Sequence, residues 1–167
     1  VIGTGSSGIQ AIPVLAEEAD HVTVFQRTPN YSLPSQNEPM TERYSRSWKD
    51  DYAELRKEQR YTPKGNLREL NDEPALSVTA EARARMFEER WAIGGPGFLG
   101  SYNDIILDKD ANETAAEFVR EKIRSIVRNP EVAELLAAKN YPIGTKRICI
   151  DSGYFETFNR NNVALVD

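Results

Sequence analysis

The chain has one cysteine and one histidine in 167 residues. A lone cysteine excludes an intramolecular disulfide, and with a lone histidine it cannot furnish a His/Cys metal site. Cys149 stands in the run Arg147-Ile148-Cys149-Ile150 and is expected to be a buried strand residue. Positive charge is also scarce. The 21 Lys and Arg are outnumbered by 26 Asp and Glu, for a net charge of −5, so there is no basic field to gather nucleic acid or an anionic membrane surface. No stretch approaches the roughly 20 apolar residues of a membrane-spanning helix, and no secretory signal is visible. Internal repeats and low-complexity tracts are absent as well. A cytoplasmic protein with no nucleic-acid or membrane partner is the expectation.

Apolar residues make up 40% of the sequence, enough to form a core. The chain opens at Val1-Ile2, the apolar end of a buried strand already under way. It closes on Val163-Ala164-Leu165-Val166-Asp167, a strand with nothing after it. An internal piece of a larger protein is therefore expected.

The strongest local signal is Gly3-Thr4-Gly5-Ser6-Ser7-Gly8. Glycines at this spacing make a turn tight enough for backbone N–H groups to face a pyrophosphate at a helix N-terminus. Ile9, Ile12, Leu15 and Ala16 follow at helical spacing and give that helix an apolar face. Pro13 lies about a turn inside it, where few hydrogen bonds are there to lose. The alternating run Val22-Thr23-Val24-Phe25-Gln26-Arg27-Thr28 is the second strand of the unit. An acidic residue at its end would meet the ribose 2′-hydroxyl of NAD(H). Arg27 stands there instead, and a cation accommodates a 2′-phosphate, so NADP(H) is the cofactor called for.

The remaining pattern is helical for a long stretch. After the loop from Thr28 to Pro34, Tyr44, Trp48, Tyr52 and Leu55 mark one amphipathic helix over 42–60. A Pro-, Gly- and Asn-rich loop follows it. A second helix runs from about Thr79 to Trp91, stopped by Gly94-Gly95-Pro96-Gly97. Asp110 with Glu113 begins a third, whose apolar face is Ala116, Val119, Ile123 and Ile126. Asn129-Pro130 starts a fourth, with Val132, Leu135 and Leu136 inward. Extended structure returns at Thr145–Ile150, a turn or short helix follows at Tyr154–Asn159, and a last strand begins after Asn161-Asn162. The fold class is α/β, a partial Rossmann-type dinucleotide-binding domain (1–34 and 143–167) interrupted by a helical insertion (35–142).

Lys146-Arg147 puts two adjacent cations into that returning strand. Neighbouring side chains of a strand point to opposite faces, so they can serve two sites but not one phosphate from one side. A pair of exposed charges at the start of a strand fits the composition equally well.

Taken together, Val1–Gln10, Val24–Pro29, Asp110–Glu113, Gly144–Arg147 and Asp151–Glu156 through Phe158–Arg160 resemble the Baeyer–Villiger monooxygenases, the group of cyclohexanone and phenylacetone monooxygenase. The resemblance runs the length of the chain in the family's order. It implies an NADPH-binding second Rossmann domain with a helical insertion beside the substrate site. Gly3, Thr4, Gly5, Ser6, Ser7, Gly8, Ile9 and Gln10 would bind the pyrophosphate, while Arg27, Thr28 and Lys146 would hold the 2′-phosphate. Arg147 would be the catalytic arginine beside flavin and nicotinamide. The implied reaction uses NADPH, FAD and O2 to convert a small-molecule ketone to an ester or lactone through a peroxyflavin. The FAD site would lie mostly outside this segment, which alone would not oxygenate. Two alternatives stay open. One is another class B flavin monooxygenase oxidising nitrogen or sulfur, against which the insertion and the Lys146-Arg147 pair argue. The other is a non-catalytic NADPH-binding module.

Overall fold

Apolar periodicity places the first helix and the strand after it in one core. A computed structural model describes residues 1–62, 65–67 and 70–167. Helix α1 (Ser6–Glu18) buries Ile9, Ile12 and Ala16 completely, while Leu15 is 41% exposed. Strand β1 (Val22–Phe25) alternates, with Val22 and Val24 inward. Strand β2 is Ser32–Pro34, β3 is Cys149–Asp151 and β4 is Val163–Val166. β1 pairs in parallel with β4 from Val22↔Val163 to Phe25↔Val166. β2 pairs in parallel with β3 from Ser32↔Cys149 to Pro34↔Asp151. Parallel neighbours need long crossovers, and here the intervening helices supply them. α1 packs on β1, on β3 and on the short helix α7 (Tyr154–Thr157). The Asn162 amide donates to Ala16 O and Ala19 O, both at 2.9 Å, and fastens the start of β4 to the end of α1.

The chain divides into two compact units, one of residues 1–36 with 71–167 and the other of residues 37–70. In the first, α4 (Ala80–Ile93) is capped by Thr79 and ends at Gly94, whose φ of +75° is a left-handed exit. α5 (Lys109–Ile126) buries Ala116, Val119 and Ile123 against the core. Phe87 lies 5.4 Å from both Phe98 and Phe118, ring to ring, and joins α4 to α5. Arg120 of α5 is buried, and it donates to Glu117 at 2.7 Å and the Tyr31 hydroxyl at 3.1 Å and pairs with Glu113. α6 (Pro130–Leu136) is capped by Asn129, with Pro130 at its first position. Among the described residues, no helix is long and apolar enough to cross a membrane.

Several expectations need correction. The single helix over 42–60 is two, α2 (Glu42–Lys49) and α3 (Tyr52–Gln59), neither with a buried residue. They part at Asp50-Asp51, two residues of low helix propensity; Asp51 leaves helical geometry at φ −110°, ψ 17° and caps the second helix with no side-chain hydrogen bond. The loop expected after α3 falls partly on Pro63, Lys64, Arg68 and Glu69, outside the described residues. Asp108 rather than Asp110 caps α5, its Oδ1 accepting from the N–H groups of Asp110 and Ala111 at 2.9 Å. On α6 the buried residues are Ala133 and Leu136, and Leu135 is 38% exposed. Ile2 is 91% exposed and forms only an isolated parallel bridge to Phe25, so it is no buried strand end. Pro13 stands two turns inside α1, and the helix runs on past it. The loop expected over Thr28–Pro34 ends in β2, whose last residue, Pro34, needs no N–H for the ladder. Extended structure near Cys149 begins only at that residue; Thr145, Lys146 and Arg147 lie exposed in a turn after Gly144 (φ +91°). The alternation argument for the two cations does not apply there.

Gly8 approaches the opening turn too closely for any side chain, since a Cβ would stand 2.5 Å from the Gly3 carbonyl oxygen. Gly8→Ala should therefore cost about 1–3 kcal/mol, the usual range for forced overpacking, in chemical unfolding of the full-length protein. An unchanged midpoint would show that the turn yields freely.

Candidate functional site

The glycine turn and the ends of β1 and the loop before β3 meet around one pocket of about 470 Å³. Gly3 N–H donates to Phe25 O and Phe25 N–H to Val1 O, both at 2.8 Å, so the turn hangs from the end of β1. Gly3 adopts φ +89°, and a Cβ at Gly3 or Gly5 would meet nothing within 4 Å; the turn faces open space. The first backbone bond of α1 runs from Ile9 N–H to Gly5 O at 2.9 Å. The N–H groups of Ser6, Ser7 and Gly8 are thus the free donors of the helix start, where the dipole favours an anion. Gly5 caps the helix without a side chain and keeps that approach clear.

Gly3, Thr4, Gly5, Arg27, Thr28 and Lys146 line this pocket. The other expected residues do not. Ser6 Oγ lies 3.5 Å from Cys149 Sγ, Ile9 is fully buried beneath the turn, and the Gln10 amide reaches Ile150 O at 3.3 Å. Cys149 is buried and free, as its apolar flanks imply. Arg147 is exposed on the turn beside Lys146 but lies off this pocket. Among the described residues no His/Cys/Asp/Glu cluster could hold a metal.

Three residues that carry the pocket escaped the sequence reading. Gln26 is buried; its amide donates to Leu135 O at 2.9 Å, and its oxygen lies 3.4 Å from the Thr4 hydroxyl. Asn30 Nδ2 donates to Thr4 O at 2.6 Å. Tyr141 OH donates to Pro29 O at 2.8 Å, and burial pushes its phenol up to about 12, so it stays a donor at neutral pH. Asn112 adds a strut: it donates to Ile105 O and Ile143 O, each at 2.8 Å, and accepts from Ile143 N–H at 3.0 Å. It thereby fixes the root of the turn that carries Lys146 and Arg147. Gln26 and Asn112 fell in stretches that carried the resemblance, but no role was read for either of them.

Beneath the turn, Asp151 is buried at the end of β3, accepting from the Ser32 hydroxyl and from Tyr154 N–H at 3.1 Å. Burial raises its carboxyl above the usual range, against the pull of those donors. Tyr154 is pushed up by burial and by the Asp151 charge, and its hydroxyl approaches the Thr4 side chain without a well-formed hydrogen bond.

No family model matches the chain. It is 41% identical over 173 residues to the cyclohexanone 1,2-monooxygenase of Acinetobacter sp. and 38% identical over 170 residues to a Baeyer–Villiger monooxygenase of Pseudooceanicola batsensis. Each alignment takes in all of this chain and 31% of the relative. The solved structure of OTEMO in complex with FAD and NADP superposes with a TM-score of 0.95 at 38% identity, over 99% of this chain and 31% of that one. The chain is similar throughout its length to Baeyer–Villiger monooxygenases. It spans about a third of the length of the relatives it matches. The same stretch also matches a protein named for other chemistry: the phenazine N-monooxygenase of Lysobacter antibioticus is 37% identical over 169 residues, 99% of this chain and 31% of that protein.

The raised Asp151 carboxyl has a consequence for stability. Its protonated form suits the folded state, so its contribution is complete below the unfolded value of about 3.9 and is lost as pH rises through the raised value. Asp151→Asn keeps an acceptor for Tyr154 N–H and removes the charge. In paired unfolding titrations the variant's stability relative to the parent should rise across that window and level off above it; a pH-independent difference would contradict the burial argument.

Proposed function

We propose that this chain is the NADP(H)-binding part of a flavin-dependent Baeyer–Villiger monooxygenase that converts ketones to esters or lactones with O2. The observation that carries the reading is the convergence of Arg27, Thr28 and Lys146 with the glycine turn on one pocket. The residues fit the cofactor, since a bare backbone turn at a helix start takes a pyrophosphate and two cations with a hydroxyl take a further phosphate. On this reading residues 1–34 and 143–167 form the Rossmann-type domain and 35–142 its helical insertion. Gly3 to Gln10 give the pyrophosphate site, with Gly3, Thr4 and Gly5 as its wall and Ser6 to Gly8 as N–H donors. Ile9 and Gln10 hold the helix behind it. Arg27 and Lys146 supply charge for the 2′-phosphate.

FAD comes into the reading from the flavin-bound relative, and with NADPH it supplies the electron transfer and oxygen activation when bound. Arg147 is the proposed catalytic residue. Its guanidinium stands outside the phosphate pocket, one residue from Lys146, so the same turn can serve the phosphate with one cation and the reacting centre with the other. A fixed cation aimed at developing negative charge stabilises it without reorganisation at the moment of reaction. The phenazine N-monooxygenase supports a second reading, in which a nitrogen heteroatom replaces the ketone.

In the full-length protein, Arg27→Ala should weaken NADPH by roughly 1.5–3 kcal/mol, the worth of a charge-assisted contact, and leave NADH nearly unaffected. Equal loss for both cofactors would refute the 2′-phosphate assignment. Arg147→Ala should abolish ketone oxygenation with NADPH binding retained. Lactone formation at the parent rate would remove its catalytic role; in the parent protein itself, N-oxide formation with no lactone from any ketone would favour the second reading.

A further inference from the structure

Lys146 is exposed, sits in a turn rather than a strand, and among the described residues has no ion-pair partner. A free lysine side chain samples many rotamers, and ordering it on binding costs affinity. Here the ammonium does not stand alone: Nζ lies 4.3 Å from the centre of the Tyr141 ring. The ring is itself held at three points. Its hydroxyl donates to Pro29 O at 2.8 Å and lies 3.2 Å from Asn30 Oδ1, and Tyr31 meets it edge to face with centroids 5.5 Å apart. Asn30 in turn donates to Thr4 O. Tyr141 is thus bonded to the segment after Arg27-Thr28, linked through Asn30 to the glycine turn, and stacked under the one lysine of the pocket.

We propose that Tyr141 is a positioning residue for discrimination between phosphorylated and unphosphorylated dinucleotides: its ring holds the Lys146 ammonium at the pocket wall before the extra phosphate arrives. The proposal rests on the reading of this pocket as the 2′-phosphate site. An aromatic face attracts an ammonium and leaves its N–H donors free on the other side, so the platform orders the cation without neutralising it. A carboxylate partner would order it too but would compete with the incoming anion. The hydroxyl has the separate task of aligning ring and loop, and so ring and hydroxyl can be tested apart.

The experiment is equilibrium binding of NADP⁺ and of NAD⁺ to the full-length protein and to Tyr141→Phe, Tyr141→Leu, Lys146→Ala and the double variant Tyr141→Leu/Lys146→Ala. Tyr141→Leu should lower the NADP⁺/NAD⁺ affinity ratio roughly two- to fivefold, the span of an exposed cation–π contact, by weakening NADP⁺ alone. Tyr141→Phe should keep most of the ratio, and in the Lys146→Ala background the loss of the ring should have no further effect on it. If the leucine protein does not fold, Tyr141→Met fills similar space without a π face and carries the same expectation. A ratio unchanged or raised in the leucine or methionine protein, or lowered as much by phenylalanine, overturns the proposal while Lys146→Ala still lowers the ratio. An unchanged ratio in Lys146→Ala refutes the placement of the phosphate itself, and the proposal with it.

Discussion

The contact on which this structure turns is the approach of the first turn of α1 to the Gly3 carbonyl, so close that Gly8 can carry no side chain. That approach sets where the helix N-terminus points, and hence where its free N–H groups are presented. It also places Thr4, whose backbone and hydroxyl are gripped from behind by Asn30 and Gln26. Everything else in the pocket is arranged around this turn. β1 ends beside it and delivers Arg27 and Thr28, while the turn at Gly144 delivers Lys146 from the far end of the chain. The cost of the arrangement is borne by glycines at Gly3 and Gly144, both with left-handed φ.

Much of this was legible in the residues. The stripe of Ile9, Ile12 and Ala16, the alternation of β1 and the capped start at Asn129-Pro130 all follow from period and capping chemistry, because local preference and tertiary burial agree there. Arg27 was singled out from its place at the end of an alternating run, and the structure sets it in the pocket wall with the glycine turn. What the pattern hid has physical reasons. The aromatic spacing from Tyr44 to Leu55 continues through Asp50-Asp51, so periodicity alone could not reveal the break at these two residues of low helix propensity. The apolar flanks of Lys146-Arg147 suggested a strand, yet Gly144 turns the chain and delays the pairing to Cys149. Gln26, Asn30 and Tyr141 act by hydrogen bonds across the fold, which leave no charge or period in the sequence.

The polar side chains both line the pocket and hold it. Arg27, Thr28 and Lys146 line it; Gln26 and Asn30 line it too while bonding to Leu135 O and Thr4 O, and Asn112 and Tyr141 hold the backbone behind. Asn112 satisfies three backbone groups at once and ties α5 to the turn of the two cations. Arg120 does similar service deeper in, joining α5 through the Tyr31 hydroxyl to the segment before β2. The helices are therefore the scaffold that keeps a short loop with two adjacent cations in a definite place. That is a physical reason for a helical region between the glycine turn and the loop of the two cations, whatever else it contacts.

The most direct measurement is the crystal structure of the full-length protein with NADP⁺ bound. The account predicts the 2′-phosphate oxygens within about 2.7–3.2 Å of donors on Arg27, Thr28 and Lys146, with the pyrophosphate over the Gly3–Gly8 turn. A 2′-phosphate bound elsewhere, or an Arg27 guanidinium directed into bulk solvent, would contradict it.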